Sequence, residues 1–197
     1  FRQKYPDVSV QLQVHSTRRT GWSVANGQID LAIIGGQLPG DLENLLQVIP
    51  YATDELALVL PSKHPLSNKK ELLKEDLYKL NFVTLDSQST TRKVVDKLLK
   101  DSGLDIQRLK IEMELNSLEA IKNAVQSGLG ASFLPVVSIE RELAAGTIHK
   151  AFIADLEVKR ELKLITNPSR YTSRASEVFK KNILPQFASF ESPLRES

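Results

Sequence analysis

The sequence predicts an α/β fold built as two lobes with a cleft between them, and three observations carry that prediction. A strand, a turn rich in Ser, Thr or Asn, and then a helix recur at residues 14–20, 85–92 and 115–119. The stretch NSLEAIKNAVQSGLGASFLP, Asn116 to Pro135, follows the apolar run Ile111–Leu115 and reads as the helix and second strand of a strand–helix–strand unit. A last helix after the turn Asn167-Pro168-Ser169 returns the chain to the first of the two half-sheets.

Taken in order, Phe1–Tyr5 reads as the tail of a helix halted by Pro6. A chain seldom opens on the end of a helix, which suggests a fragment lacking upstream elements. Val8–Val14 alternates, with Val8, Val10, Leu12 and Val14 on one side, and predicts a strand with one wet face. Ser16 or Thr17 can cap a short helix ending near Gly27, with Trp22 and Ala25 as its buried positions. Asp30–Ile34 is a short strand closed by Gly35-Gly36, and Leu38–Asp41, with its Pro-Gly pair, is a loop. Leu45–Tyr51 and Glu55–Leu60 are two further strands, followed by a polar turn over Ser62–Lys70 and a helical segment around Leu72–Leu80.

Phe82–Leu85 is a strand leading into the polar turn Asp86–Thr91. That turn opens a helix with Val94, Val95, Leu98 and Leu99 as its core stripe and Gly103 as its stop. In the central unit Asn116 or Ser117 caps a helix whose buried face is Leu118, Ile121, Ala124 and Val125. Gly128 stops it, and Leu129–Leu134 is a buried strand. A helix begins with Pro135 at its first position and ends at Gly146, its inner face Val136, Ile139 and Leu143. Leu156–Thr166 is a strand, Ser173–Ile183 a helix ended or kinked by Pro185, and Ser189–Ser197 a polar, frayed tail.

Composition narrows the class. At 197 residues, 41% hydrophobic and 25% charged, the chain is an ordinary globular sequence able to bury a sizeable core. The absence of cysteine excludes a disulfide framework and thiolate metal sites. No apolar run approaches the roughly 20 residues of a membrane span. A net charge of +2 does not by itself mark a nucleic-acid surface.

Three helix starts open beside polar turns: Ser16-Thr17, Ser87–Thr91 and Asn116-Ser117. Each offers backbone N–H groups and a partial positive charge at the carboxyl edge of a strand, where open α/β sheets bind ligands. Arg18, Arg19 and Arg92 lie within a turn of two of them, and a guanidinium grips carboxylate or phosphate bidentately. Two readings stay open at each turn: an anionic small molecule clamped between lobes, or an ordinary helix cap with solvated arginines nearby. Convergence of all three on one cleft would favour the first.

Gly128-Leu129-Gly130 reads as turn and close-packing glycine rather than a phosphate loop, and Gly35-Gly36 as a flexible turn or a close backbone approach to ligand. His15, His64 and His149 lack the spacing of a metal site and read as structural or surface residues, although His15 sits at a strand end facing the proposed cleft. With no Ser/His/Asp set, carboxylate pair or P-loop, an enzyme is disfavoured, and no metal or cofactor is expected.

The segments FRQKYPDVSVQLQV, NGQIDLAIIGG, ELALVLPSKHPL and AVQSGLGASFLP together resemble the effector-binding domain of LysR-type transcriptional regulators, over essentially the whole chain. More closely, QLQVHSTRRTGWSVANGQIDLAIIGG, LDSQSTTRKVVDKLL and KIEMELNSLEAIKNAVQSGLGASFLP are similar to the CbbR/RbcR-type carbon-assimilation regulators of cyanobacteria and plastids. That group includes the regulators of inorganic-carbon uptake and NADH-dehydrogenase genes. The resemblance implies a type 2 periplasmic-binding-protein fold, with two Rossmann-like lobes, 1–53 with 160–197 and 54–159, joined by crossing hinge strands.

It also implies an effector in the interlobe cleft: an anionic carbon metabolite such as 2-oxoglutarate, 2-phosphoglycolate, ribulose bisphosphate or sometimes NADPH. Members pair into homodimers and homotetramers and bind DNA through an N-terminal winged helix-turn-helix, which this sequence lacks. They also carry a strand and most of a helix ahead of the residues matching Phe1. No membrane partner is implied, and the location would be cytoplasm or plastid stroma. Carried over residue by residue, the effector-binding positions are Ser16, Thr17 and Arg18, Gly35 and Gly36, Ser87, Gln88 and Ser89, and Asn116. A solute-binding receptor for transport would share the two-lobe fold. A secretory signal upstream would favour transport, and a basic helix-turn-helix would favour regulation.

Overall fold

The structure, a computed structural model, describes residues 1–182 of the chain. Two compact units emerge: Phe1–Thr53 with the chain from Glu161 onward, and Asp54–Arg160.

The first unit holds α1 (Thr17–Ala25), β1 (Leu31–Ile34) and α2 (Gly40–Glu43), and it receives later elements introduced below. Val24, Ala25, Ile34, Leu38, Leu42, Leu46 and Ile165 form its core. Gly21 lets α1 close on α2, because a Cβ there would meet Leu42 Cδ1 at 2.7 Å and Leu38 Cδ2 at 3.0 Å. Gly27, with φ +71°, follows the helix in the left-handed conformation. Trp22 is 36% exposed rather than buried, because the face α1 turns inward carries Gly21, Val24 and Ala25. Within the predicted loop at Leu38–Asp41, the chain instead turns helical from Gly40 onward, with Pro39 as the N-cap.

Two other expectations fail at the N-terminus. Phe1–Tyr5 is a single turn, closed by the Lys4 and Tyr5 N–H groups on the Phe1 carbonyl at 2.9 Å. Val8–Val14 forms no strand, and Leu12 and Val14 are 89% and 84% exposed. Alternation defines a face to bury, but a strand exists through its ladder, and this one has no ladder partner among the described residues.

Where two strands were expected, one 15-residue strand, β2 (Gln47–Pro61), runs from the first unit into the second. Across Ala52-Thr53-Asp54 the backbone stays extended, and the Asp54 carboxylate is held by Arg160 rather than by a local turn. A 3₁₀ turn at Pro65–Asn68 is capped by His64, whose Nδ1 accepts the Leu66 N–H at 3.2 Å. The segment at Lys74–Lys79 is 3₁₀ rather than α-helical.

Then come β3 (Asn81–Leu85), α3 (Thr90–Asp101), β4 (Lys110–Leu115), α4 (Leu118–Gln126) and β5 (Ser132–Pro135). Pro135 ends β5 instead of starting a helix. A 3₁₀ turn at Val136–Ser138 precedes the short α5 (Glu140–Ala144). The strand β6 (Ile148–Ala151) lies in a stretch where none was expected. β7 (Lys159–Thr166) carries the chain back and pairs antiparallel with β1 in the first unit, followed by α6 (Arg174–Asn182). Ile183, Pro185 and the tail Ser189–Ser197 lie outside the described residues.

Within the second unit β3 and β4 run parallel, and Ala131, just ahead of β5, bridges β3 in parallel by exchanging backbone bonds with Asn81 and Val83. β2 pairs antiparallel with β5 and β6. Helices cover both faces. Leu58, Leu60, Phe82 and Phe133 pack with Val95 and Leu99 of α3, whereas their neighbours Val59, Val83 and Leu134 pack with Ile121 and Val125 of α4. A sheet buried on both faces explains why these strands read as near-continuous apolar runs.

Candidate functional site

In the second unit the candidate residues gather at one sheet edge. β3 and β4 finish in register, Leu85 opposite Leu115, and the Asp86 N–H donates to the Leu115 carbonyl at 3.0 Å. Both strands therefore release their chains side by side. One becomes the turn Asp86–Ser89 leading to α3, the other Asn116-Ser117 leading to α4. This brings Ser87, Gln88 and Ser89 to the same edge as Asn116.

The turn is internally built. Asp86 Oδ1 accepts the Gln88 N–H at 2.9 Å, and the Asp86 carbonyl accepts the Ser89 N–H at 3.0 Å, which is an Asx turn. Ser87, Gln88 and Asn116 are exposed and Ser89 half-buried. The two helix starts differ. Ser117 caps α4, its hydroxyl accepting the Ala120 N–H at 3.5 Å. Ser89 stands at the N-cap of α3 in extended backbone conformation, but its hydroxyl makes no capping bond. The first-turn N–H groups of a helix have no intrahelical acceptor, and they carry the positive end of its dipole.

The arginines are disposed differently from the sequence expectation. Arg92 turns back onto the sheet: Nε donates to both Asp96 oxygens at 2.8 and 2.9 Å, and Nη1 to Thr84 Oγ1, the Leu85 carbonyl and Glu114 Oε1 at 2.6, 3.3 and 3.3 Å. Its side chain is 16% exposed. Arg92 thus joins α3 to β3 and β4, and its charge is neutralised by Asp96 and Glu114. A guanidinium from a distant strand, Arg160, also reaches the first turn of α3. Its Nη1 donates to Thr91 Oγ1 at 2.7 Å, and its Nε and Nη2 donate to Asp54 Oδ2 at 2.8 and 2.7 Å. Sequence reading missed this pair, for Arg160 stands in an alternating charged strand and its partners are 69 and 106 residues away.

In the first unit Ser16 is the N-cap of α1, extended and, like Ser89, without a capping bond from its hydroxyl. Thr17 is buried, and Arg18 is exposed, paired with Asp41 at 3.2 Å. Exposed pairs of this kind hold each other by at most about 1 kcal/mol, so Arg18 can exchange Asp41 for another anion at little cost. Gly35 and Gly36 are half-buried and follow β1, against which α1 packs. Among the described residues no group of three or more His, Cys, Asp or Glu side chains could hold a metal ion.

The chain is 63% identical over 188 residues to a "Probable RuBisCO transcriptional regulator" of Trichormus variabilis, covering 95% of the chain and 56% of that protein. It is 60% identical over 187 residues to a protein of the same name from Porphyra purpurea, covering 95% of the chain and 59% of that protein. The chain thus spans somewhat more than half the length of these regulators. Among solved structures, the CcmR regulatory domain of Synechocystis PCC6803 in complex with 2-PG superposes with a TM-score of 0.82 at 25% identity, over 96% of this chain and 88% of that one. The fold is accordingly the two-lobe, periplasmic-binding-protein-like α/β fold of LysR effector-binding domains. The LysR substrate binding domain profile matches residues 1–188, and the chain belongs to that family.

Proposed function

We propose that this chain is the effector-sensing domain of a DNA-binding transcriptional regulator of carbon-assimilation genes. Its effector would be an anionic carbon metabolite: 2-oxoglutarate, 2-phosphoglycolate or ribulose bisphosphate. Ser87, Gln88, Ser89 and Asn116 are the second unit's contribution to binding, and Ser16, Thr17, Arg18, Gly35 and Gly36 the first unit's. One observation supports this most directly. Ser16 and Ser89 both occupy helix N-caps without spending their hydroxyls on capping, unlike Ser117. Helix starts of that kind suit a carboxylate or phosphate. The 2-PG bound by the CcmR domain is such an anion.

The relatives are named as regulators rather than enzymes, and the effector does its work by binding alone. It shifts the conformational equilibrium only by its difference in affinity for the two states. That shift is relayed through homo-oligomer contacts to DNA-binding domains lying outside this chain, in cytoplasm or plastid stroma. No helix among the described residues is long and apolar enough to cross a membrane.

Calorimetric titration with the three metabolites tests this. One of them should bind saturably. S89A should weaken it by about fivefold, the worth of a neutral hydrogen bond, and R18A by about tenfold or more, both with melting unchanged. Unaltered affinity in both variants, or no heat with any of the three, refutes the assignment.

A further inference from the structure

Asp54 and Arg160 are the first and last residues of the second unit. The chain enters that unit along β2 at Asp54 and leaves along β7 at Arg160. The two side chains pair across 106 residues of sequence; Asp54 is buried, 8% exposed, and Arg160 mostly so, 14% exposed. Beside them the Leu56 N–H donates to the Val158 carbonyl at 2.8 Å, so entry and exit are also joined through the backbone. The remaining arm of the guanidinium, Nη1, holds Thr91 Oγ1 in the first turn of α3, two residues beyond Ser89. One guanidinium therefore touches three segments: the way in, the way out, and the start of the helix that follows the Ser87–Ser89 turn.

A buried ion pair is seldom worth more than well-packed apolar side chains, so stability alone accounts poorly for this one. Geometry accounts for it better. A planar fork with separate donors can grip Asp54 and Thr91 at once, which a single ammonium cannot do with the same directionality.

We propose that Arg160 and Asp54 are positioning residues, a clasp tying the α3 turn to both points where the chain crosses into and out of the second unit. Engagement of the turn then alters the freedom of β2 and β7 at those points. The clasp stands on the geometry alone. Only its response to ligand rests on the effector reading above.

Residue-resolved amide exchange on the whole chain, on R160K and on T91V, each with and without 2-phosphoglycolate, decides it. Without ligand, R160K should keep Leu56 protected, since lysine still pairs with Asp54. The Lys93 amide, which bonds to the Ser89 carbonyl at 3.1 Å, should exchange about tenfold faster. T91V should show the same split. Wild-type rates at Lys93 in both variants overturn the clasp. So does a uniform rise across the second unit, which would reduce the pair to a stability element.

With 2-phosphoglycolate, exchange in the native chain should slow at the 87–91 turn and at Leu56 together, but in T91V at the turn alone. Parallel slowing at both places in T91V overturns the coupling. No response in the native chain overturns the effector assignment and the ligand-linked half of the proposal, while the ligand-free rates still judge the clasp itself.

Discussion

Lys122 lies on the inner face of α4 and is only 7% exposed, so its ammonium must be compensated where it sits. Nζ meets Glu119 Oε1 at 2.8 Å, Glu142 Oε1 at 2.9 Å and the Ser138 carbonyl at 3.1 Å, fastening α4 to α5 and the 3₁₀ turn before it. The two carboxylates are not equivalent. Glu119 is 76% exposed, and losing its partner costs at most about 1 kcal/mol. Glu142 is 16% exposed, and its Oε2 is already buried without a hydrogen-bond partner. In K122M that carboxylate loses its ion-pair partner in a mostly buried place, a situation that costs about 3–5 kcal/mol.

The pH dependence has a definite sign. Hydrogen bonding to Lys122 holds the Glu142 carboxyl below its ordinary range, and bonding to Glu119 and Glu142 holds the Lys122 ammonium above its own. In the native chain Glu142 therefore contributes stability above the ordinary glutamate pKa, lost as pH falls through its lowered value. Lys122 contributes below the ordinary lysine pKa, and this is lost as pH rises through its raised value. Without Lys122 the bond from its own backbone N–H and the nearby Arg141 charge still lower the Glu142 carboxyl, and burial acts against them. The penalty in K122M should thus shrink only as pH falls below the ordinary glutamate range, where Glu142 takes up a proton in the variant before it does so in the native chain.

Urea titrations at about pH 7 and about pH 3, followed by circular dichroism, give the penalty. The single tryptophan, Trp22, lies in the first unit, so its fluorescence reports that unit separately. K122M/E142L should recover most of the loss, because both charges are gone. A penalty below about 1 kcal/mol, one independent of pH, or a double variant as unstable as K122M would refute this reasoning.

Two further outcomes follow from the second unit. In G130A the new Cβ would stand 2.6 Å from the Asn81 carbonyl oxygen, backbone that cannot step aside, beside the bonds Ala131 exchanges with Asn81 and Val83. Thermal melting should show a loss of about 1–3 kcal/mol, and an unchanged melt would mean the β3–Ala131 bridge yields freely. R92M, which strips α3 of its ties to Thr84 and Glu114 and leaves Asp96 without its partner, should cost about 1–3 kcal/mol of stability and leave 2-phosphoglycolate affinity within about twofold. A tenfold loss of affinity instead would restore Arg92 to the binding role its position in the sequence first suggested.

What could be read in the sequence was what the chain decides locally. α3 and α4 each carry a complete apolar stripe, a polar start and a glycine stop, and Gly103 and Gly128 indeed adopt positive φ. β3 and β4 are short apolar runs bounded by such helices. Val8–Val14 shows the limit, because its alternation is as clear as any, yet a ladder needs a second strand that the local pattern cannot name. β2 shows another. The residues between Tyr51 and Glu55 looked like a break, but Asp54 there is taken up by Arg160, from a strand 106 residues on. Trp22 misled because size suggested burial, whereas the close approach of α1 and α2 requires Gly21 on the inner face.

The site repeats this division between local and distant. Serine and asparagine at the helix starts were visible, since capping chemistry is decided within four residues. The arginines were not, because a long side chain chooses among acceptors anywhere within reach. Arg92, placed by sequence at the mouth of α3, is drawn onto Asp96, Thr84 and Glu114, and Arg160 arrives there with its charge already matched by Asp54. Both arginines beside the α3 turn are therefore internally neutralised. The attraction this edge can exert on an anion comes chiefly from oriented N–H groups and hydroxyls at the helix start. A site of that kind selects by shape and by the number of acceptor oxygens it can satisfy, and much less by total charge. That is the property by which a sensor could tell a two-carbon phosphate from a dicarboxylate of equal or similar charge.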